Sequence, residues 1–270
     1  MPVINTNTNS QFAQDALQVN SKAMSTAMQQ LATGNRINQA RDDAAGLSIG
    51  QNMTSQIRGL NQAVRNTTDG INQLQTADGA LVETSNMLQR MRELAVQSSN
   101  ATNSAKQREY LQAEYSSLQV EITRIASNTT WNQAGLFGVS LVYQAGMSSG
   151  QTISVQLASM DAGSLGISAS TTSIGTFAAS QAALGLIDSA VDIVNAARST
   201  MGGIMNQLSY SADNMVNIST NIAASRSTVL DTEYATASSQ LSRTQIIQQA
   251  AIAMLAQANQ QPQSVMALLK

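Results

Sequence analysis

The sequence predicts a mainly α protein, an elongated antiparallel helical bundle with coiled-coil packing and a small β-hairpin region in the middle of the chain. Three observations predict this fold class. Apolar residues recur at alternating spacings of three and four over two long stretches, a pattern typical of helices that bury one stripe. A glycine-rich stretch without helical periodicity separates them. Aromatic residues are only 3% of the 270 residues, so the core must consist of Leu, Ile, Val, Met and Ala.

The first apolar stretch predicts two helices that fold back on each other. Its heptad positions are Met53, Leu60, Thr67, Leu74, Leu81, Leu88 and Ala95. A companion stripe runs beside them until Asp78 interrupts it. The polar run at residues 98–104 ends the first helix, and Ser104 with Gln107 has the spacing of a capping box that starts the second. The second helix carries Leu111, Tyr115, Leu118, Ile122 and Ile125.

The same heptad spacing predicts a third long helix near the other end of the chain. Its stripe consists of Ile187, Val194, Met201, Leu208, Met215, Ile222 and Val229. An isolated helix gains little stability in water, so this stripe must be buried against other helices. We therefore expect a central rod of three long helices over residues 44–235.

The middle of the chain predicts a β-hairpin region at about residues 138–178. Two runs of alternating apolar and polar residues flank a loop that contains Gly146 and Gly150. The apolar positions of these runs are Leu141, Tyr143, Ala145, Ile153, Val155 and Leu157. A lone hairpin is only marginally stable, so we expect it to pack on the helices. The Ser and Thr residues at 168–176 favour a flexible connector over a set of modification sites.

The two ends of the chain predict a separate helical unit, residues 1–43 with 236–270, that serves in assembly. Both ends carry short stripes of small and apolar residues that are too weak to be stable alone. We expect them to order against each other and against neighbouring subunits. The residues of this expected assembly seam are Leu17, Met24, Leu31, Ile247, Ala251 and Met254.

Composition excludes several classes of function. Without Cys or His the chain has no disulfide, no thiolate or imidazole metal ligand and no histidine base, so we expect no enzyme, metal or cofactor. A net charge of −2 gives no electrostatic footprint for nucleic acid. No apolar stretch approaches the roughly 20 residues that span a bilayer, so no membrane insertion is expected. The acids Asp42 and Asp43 precede a predicted helix, whose N-terminus they complement.

Motif blocks at both ends of the chain follow a known pattern. They are INTN at residues 4–7, LATGNRINQARDDAAGLSIGQ at 31–51, NTTDGINQLQTADGALVETSNMLQRMRELAVQSSNATNS at 66–104, and SRSTVLDTEYATASSQLSRTQIIQQAAIAMLAQANQQPQSVMALLK at 225–270. In these blocks and in their order, the chain resembles bacterial flagellin. Chance similarity among coiled coils would not reproduce long motifs at both ends.

The resemblance implies a structural subunit that polymerises into the bacterial flagellar filament for swimming motility. The paired ends would form the inner core of the filament, and the short middle leaves no room for the outer domains of many flagellins. The resemblance also implies an extracellular protein, exported unfolded through the flagellar secretion channel without a cleaved signal peptide. The implied partners are other copies of the chain, an export chaperone and the filament cap protein.

One segment is similar to the flagellin region that vertebrate toll-like receptors recognise. It is QRMRELAV at residues 89–96, and Glu114 stands where the family's second contact helix contributes an acid. Carried over by motif, Arg90, Leu94 and Glu114 are candidate receptor contacts. Residues 90 and 94 are one helical turn apart, which predicts that their side chains share a face. For stability alone, these charges would form an ordinary solvated helix surface.

Three other functions compete with this interpretation. The hook–filament junction protein of the flagellum shares helical ends with flagellin and is the close alternative. An exported flagellin-type protease would need a two-histidine zinc motif, and the chain has no His. An intracellular coiled-coil scaffold would be absent from sheared extracellular fibres.

Overall fold

The computed structural model describes residues 6–268, and it confirms the predicted mainly α fold. The helices within this range are α1 (Thr8–Thr33), α2 (Ala44–Ser98), α3 (Ala105–Asn128), α4 (Phe177–Leu230) and α5 (Tyr234–Leu268). Between α3 and α4 lie the strands β1 (Thr130–Trp131), β2 (Ala134–Gly135), β3 (Val139–Gln144) and β4 (Thr152–Leu157). Ile4 and Asn5 of the N-terminal motif lie outside the described residues.

The elements belong to two compact units. One contains the residues up to Ile57 and those from Thr220 onward, and the other is Arg58–Ser219. The first unit contains α1 and α5, the second contains α3 and the strands, and α2 and α4 contribute to both. The assembly role predicted for residues 1–43 and 236–270 stays a prediction.

The core of the Arg58–Ser219 unit is formed by the predicted heptad stripes. The apolar stripe residues that are at most 1% exposed are Leu74, Leu81, Leu88 and Ala95 of α2, Tyr115 and Ile122 of α3, and Ile187, Val194, Met201 and Leu208 of α4. They belong to one contiguous apolar cluster. Burial of apolar surface is the main favourable term in folding, so this cluster stabilises helices that would be marginal alone.

Two ion pairs join α2 to α4 and fix their antiparallel alignment. Arg198 Nε donates a hydrogen bond to Asp78 Oδ1 at 2.7 Å, and Arg92 Nε donates to Asp188 Oδ1 at 2.7 Å. The acid that interrupts the apolar pattern at position 78 is therefore explained by its partner on α4. Because both pairs are partly exposed, they contribute more to alignment than to stability.

The ends of the helices follow their sequence signals. Ser104 and Gln107 form the predicted capping box at the start of α3. At the start of α2, Asp43 Oδ1 accepts a hydrogen bond from the backbone N–H of Gly46 at 2.9 Å, which confirms that this acid complements a helix N-terminus. α1 ends at Gly34, whose φ of 73° is a left-handed conformation that glycine adopts without strain.

The predicted β-hairpin is formed by β3 and β4, and it packs on α2. Tyr143 of β3 lies opposite Ile153 of β4. A Cβ atom on Gly70 would lie 2.7 Å from the Tyr143 ring, so the ring requires glycine at this point of the helix. The Tyr143 hydroxyl donates to Gln73 Oε1 at 3.1 Å, and burial raises the pKa of Tyr143 to about 12.

The connector that follows the hairpin is packed, which corrects the prediction of a flexible segment at residues 168–176. Thr172 and Ile174 are buried there. The backbone N–H of Ile174 donates to Gln112 Oε1 at 2.5 Å, and Gln119 Nε2 donates to the Thr172 hydroxyl at 2.9 Å. Ser and Thr satisfy the backbone in such turns, and the same residues dominate flexible linkers, so composition could not separate the two.

A second antiparallel pair, β1 with β2, was not predicted. Trp131 pairs with Ala134, so Asn132 and Gln133 form a two-residue turn. Both have positive φ, 48° and 67°. Two consecutive left-handed residues make a turn of type I′, for which Asn-Gly is preferred. Gln133 therefore occupies a position that favours glycine.

α4 is more apolar than the sequence analysis expected. By length and composition alone, the helix Phe177–Leu230 is apolar enough to cross a membrane. The expectation that no segment reaches this level is therefore wrong. Ile187, Val194 and Met201 nevertheless lie in the core of the unit, so packing within the protein covers the stripe of this helix.

We predict that Leu81→Ala or Leu208→Ala lowers the free energy of unfolding by about 2–5 kcal/mol, because each change empties a buried Leu site. Melting of the unassembled protein measures this loss. Tyr210→Ala is the control, since Tyr210 lies exposed on the same helix as Leu208. A loss below about 0.5 kcal/mol at both Leu sites, which is typical of surface positions, would contradict the core described above.

We also predict that Gln133→Gly stabilises the protein by about 0.5–1 kcal/mol, because glycine adopts the left-handed conformation without a steric cost. Denaturant melting of the unassembled protein measures the gain. Gln133→Ala keeps a Cβ atom at this position and should give no such gain. Equal stability of the glycine and alanine variants would show that position 133 is not strained.

Candidate assembly surface

α1 and α5 pack against each other within one unit, and the side chains between them are small or polar. The most buried positions are Ser10, Asn20 and Ala27 of α1 and Ala237 and Thr244 of α5. Small side chains let two helices approach closely. They also bury little apolar area, so this seam contributes little hydrophobic stabilisation.

Two asparagines link the helices across the seam. Asn20 Nδ2 donates to the carbonyl oxygen of Thr244 at 2.8 Å, and Asn7 Nδ2 donates to the carbonyl oxygen of Ala258 at 2.8 Å. These acceptors remove the cost of leaving an amide donor unpaired in a buried place. From residue 7 to residue 20 on the N-terminal side, the partner position falls from 258 to 244, so α1 and α5 run antiparallel.

The large apolar side chains of the pair are exposed. Phe12 and Val19 of α1 are 73% and 69% exposed, and Ile247 and Met254 of α5 are 42% and 66% exposed. Grooves of about 580 and 490 Å³ lie beside Phe12. We call these four residues the outer face of α1–α5. An ordinary amphipathic pair has the reverse distribution, with its large apolar residues inside.

The structure divides the residues of the predicted assembly seam between two surfaces. Half-buried positions are held by Leu17, Met24, Leu31 and Ala251, whereas Ile247 and Met254 are exposed. In α5 the stripe toward α1 follows positions 237, 244, 251 and 258, and residues 247 and 254 fall outside it. The six residues therefore do not form one stripe. Their role in assembly stays a prediction.

The sequence analysis missed the exposed residues of α1. Phe12 and Val19 are seven residues apart, so they share a helical face distinct from that of Leu17 and Met24. That heptad spacing was the signal that could have found them. A sequence pattern does not say which of two apolar faces is buried.

The candidate receptor residues lie in the Arg58–Ser219 unit. Arg90 Nε donates to Glu114 Oε1 at 2.9 Å, and Arg90 Nη1 donates to Glu93 Oε2 at 2.9 Å. The hydrogen bond with Glu114, followed by that with Glu93, raises the pKa of Arg90. Arg90 and Glu114 are about half exposed, so α2 and α3 present a charged surface here.

Leu94 does not lie on that surface. Its side chain is 0% exposed and belongs to the core with Met91 and Ala95. The expected shared face of Arg90 and Leu94 is therefore corrected, because positions 91, 94 and 95 all point into the bundle. The receptor contact of Arg90 and Glu114 stays a prediction, whereas Leu94 is a packing residue of the core.

Comparison with known proteins decides the family. Residues 4–140 match the family model for the bacterial flagellin N-terminal helical region, and residues 184–269 match that for the bacterial flagellin C-terminal helical region. The chain belongs to the bacterial flagellin family. Flagellin of Halalkalibacterium halodurans is 41% identical over 271 residues, covering 99% of this chain and 100% of the relative. Flagellin FlaB1 of Treponema pallidum is 34% identical, covering 99% of this chain and 100% of the relative.

Solved structures agree with this assignment. The crystal structure of Bacillus cereus flagellin aligns with a TM-score of 0.51 and 32% identity, covering 60% of this chain and 94% of that one. A putative flagellar hook-associated protein from Vibrio parahaemolyticus aligns with a TM-score of 0.59 over 70% of this chain and 99% of that one. Its identity is only 15%, so this likeness shows a shared fold alone.

Membership of the flagellin family makes the chain a structural subunit of the bacterial flagellar filament, which is extracellular. The relative of Halalkalibacterium is covered over its whole length, so the chain corresponds to a compact flagellin. The predicted function is confirmed, and the hook–filament junction alternative is not favoured. Among residues 6–268, no three acidic side chains form a group that could hold a metal ion.

Proposed function

We propose that copies of this flagellin polymerise through the outer face of α1–α5, while the Arg58–Ser219 unit folds around its own core. The exposure of Phe12, Val19, Ile247 and Met254 above a seam of small and polar residues carries this proposal. Monomeric proteins rarely leave large apolar side chains grouped on a surface unless another molecule covers them. In a homopolymer that molecule is a second copy of the chain.

Burial of this face offers a favourable term for association. A large apolar side chain contributes about 1.5–3 kcal/mol when it passes from fully exposed to buried, and these four are between 42% and 73% exposed, so together they offer roughly 4–8 kcal/mol. Ordering and immobilisation cost several kcal/mol for each subunit that joins. Contacts with further neighbours in a filament add to the gain, whereas the loss of translational freedom occurs only once for each subunit.

The proposal extends to the partners that handle the chain before assembly. An export chaperone would cover the apolar ends in the cell, the chain would leave through the flagellar secretion channel without a cleaved signal peptide, and the filament cap protein would place it at the growing end. On this proposal, Phe12 and Met254, which are exposed in the single chain, are covered by the chaperone before export and by other copies after assembly. We propose no catalytic role and no cofactor, since the chain has neither His nor Cys.

A vertebrate toll-like receptor is proposed as a partner of the Arg90–Glu114 surface. Arginine suits such a contact because its planar group makes several hydrogen bonds while its stem packs on apolar surface. The pair with Glu114 holds the guanidinium in place at 2.9 Å, so a receptor would meet an ordered side chain. In the filament the same surface is expected to face a neighbouring subunit.

The assembly proposal predicts that Phe12→Ser or Met254→Ser raises the protein concentration at which filaments form by at least about fivefold, since each side chain is about two-thirds exposed and its loss removes about 1–2 kcal/mol of apolar burial. Sedimentation and electron microscopy of full-length protein measure this concentration. Gln18→Ser is the control, because Gln18 is exposed on a different side of α1. Normal filament formation by both apolar variants would refute the proposed surface.

The receptor proposal predicts that Arg90→Ala weakens binding of the monomer by at least about 1 kcal/mol, whereas the melting temperature changes little. Binding of unassembled protein to the purified receptor measures this effect. Arg92→Ala is the matched control, since Arg92 forms a similar exposed ion pair with Asp188 on another side of α2. If Arg90→Ala binds as tightly as Arg92→Ala, the site carried over by motif is wrong.

A further inference from the structure

The seam between α1 and α5 does not by itself define how far one helix is shifted along the other. Alanines recur in each helix at spacings that are multiples of seven residues. They are Ala13 and Ala27 on α1, and Ala237, Ala251 and Ala258 on α5. A shift by one heptad would therefore again place small residues against small residues. The amide of an asparagine in the seam donates to a backbone carbonyl, which every such register offers. Polar contacts that define a register must be specific to one partner.

Such specific contacts join the end of α1 to the junction of α4 and α5. The backbone N–H of Thr232 donates to the carbonyl oxygen of Gly34 at 2.8 Å. The backbone N–H of Arg36 donates to the carbonyl oxygen of Leu230 at 2.6 Å. The Arg36 guanidinium also donates from Nη2 to the carbonyl oxygen of Val229 at 2.8 Å, which satisfies the C-terminus of α4.

We call residues 34–36 and 229–232 the clasp. Its centre is a β-bridge between Asn35 and Asp231. Gly34 has a φ of 73°, and a Cβ atom on it would lie 3.2 Å from the Tyr234 hydroxyl, so other residues are strained there. The clasp joins backbone groups that lie outside the hydrogen bonding of the helices, at the end of α1 and at the junction of α4 and α5. Unlike the helical seam, it has no equivalent partner one heptad away.

We propose that the clasp sets the register of α1 against α5 and thereby fixes how the outer-face side chains of the two helices are positioned relative to each other for neighbouring copies. Residues 34–43 between α1 and α2 would span roughly 30 Å if extended. One heptad corresponds to about 10.5 Å along a helix. Without the clasp, the chain therefore leaves α1 free to move by one heptad away from the junction. The effect on assembly rests on the proposed function, whereas the effect on register does not.

Engineered cysteine pairs measure the register directly, because the chain has no Cys of its own. Ala13→Cys with Ala251→Cys reports the observed register, since the hydrogen bonds of Asn7 with Ala258 and of Asn20 with Thr244 place residue 13 beside residue 251. Ala13→Cys with Ala258→Cys reports a shift by one heptad. A disulfide needs Cα atoms within about 7 Å, so one register does not form both bonds with similar yield. Both pairs are oxidised in full-length protein, as monomer and in filaments, and quantified by non-reducing electrophoresis.

With the clasp intact, we expect the yield for the 13–251 pair to exceed that for the 13–258 pair by at least about tenfold. Gly34→Ala with Arg36→Ala should reduce this ratio below about threefold, and Arg36→Ala alone should give an intermediate value. Asn20→Ala is the matched control, because it removes a buried hydrogen bond of the seam and leaves the clasp untouched. Its ratio should stay near tenfold.

Two outcomes would overturn the proposal. In the first, the clasp variants keep the tenfold ratio of disulfide yields while circular dichroism shows unchanged helix content. In the second, Asn20→Ala alone abolishes the tenfold ratio, which would show that the seam sets the register. If the double variant loses its helices, the ratio of disulfide yields in the Arg36→Ala variant tests the proposal instead, since that change removes only an exposed side chain.

Filament formation then separates this inference from the assembly proposal. Clasp variants should polymerise poorly when reduced and recover when the 13–251 disulfide holds the observed register. Polymerisation of the clasp variants without that disulfide would refute the link from register to assembly. Failure of the assembly proposal would give a different result. The Phe12→Ser and Met254→Ser variants would form normal filaments, and the ratio of the 13–251 to the 13–258 disulfide yield would be unchanged.

Discussion

The antiparallel packing of α2 and α4 is the constraint on which the Arg58–Ser219 unit depends. Their heptad stripes bury Leu81, Met201 and Leu208 almost completely, and α3 and the hairpin add to the same cluster. A chain with 3% aromatic residues has few large side chains to spare, so its core must come from many Leu, Ile, Val, Met and Ala contacts in register. The pairs Asp78–Arg198 and Arg92–Asp188 keep that register.

Much of this fold was predictable because long heptads are a strong signal. The stripes of α2 and α4, the capping box at Ser104 and the hairpin around Tyr143 follow from spacing alone. The turn at Gln133 was not predictable, because Gln gives no sign of a left-handed conformation. The packed connector was missed for a related reason, since hydroxyl side chains that satisfy turns look the same as those of a linker.

The candidate sites were harder to predict than the fold. Spacing predicted one face for Arg90 and Leu94, but four residues turn a helix by about 400°, so position 94 is rotated by about 40° from position 90 and lies in the core stripe. At the chain ends, one stripe was expected to contact both the partner helix and the neighbouring subunits, whereas the seam between the helices is built from Asn20, Ala27 and Thr244. Hydrophobic pattern shows that a face will be covered, but not whether the same molecule covers it.

The composition of the α1–α5 seam makes the folding of the chain ends a problem of mass action. If other copies cover the outer face, as proposed, a pair of helices that places Ala27 and Thr244 between its members and leaves Phe12 outside gains most of its apolar burial from other molecules. Its stability therefore rises with the concentration of copies around it, as for any state that is stabilised by binding. On that proposal, the ends unfold easily in dilute solution, and in the filament they become as stable as the polymer that contains them.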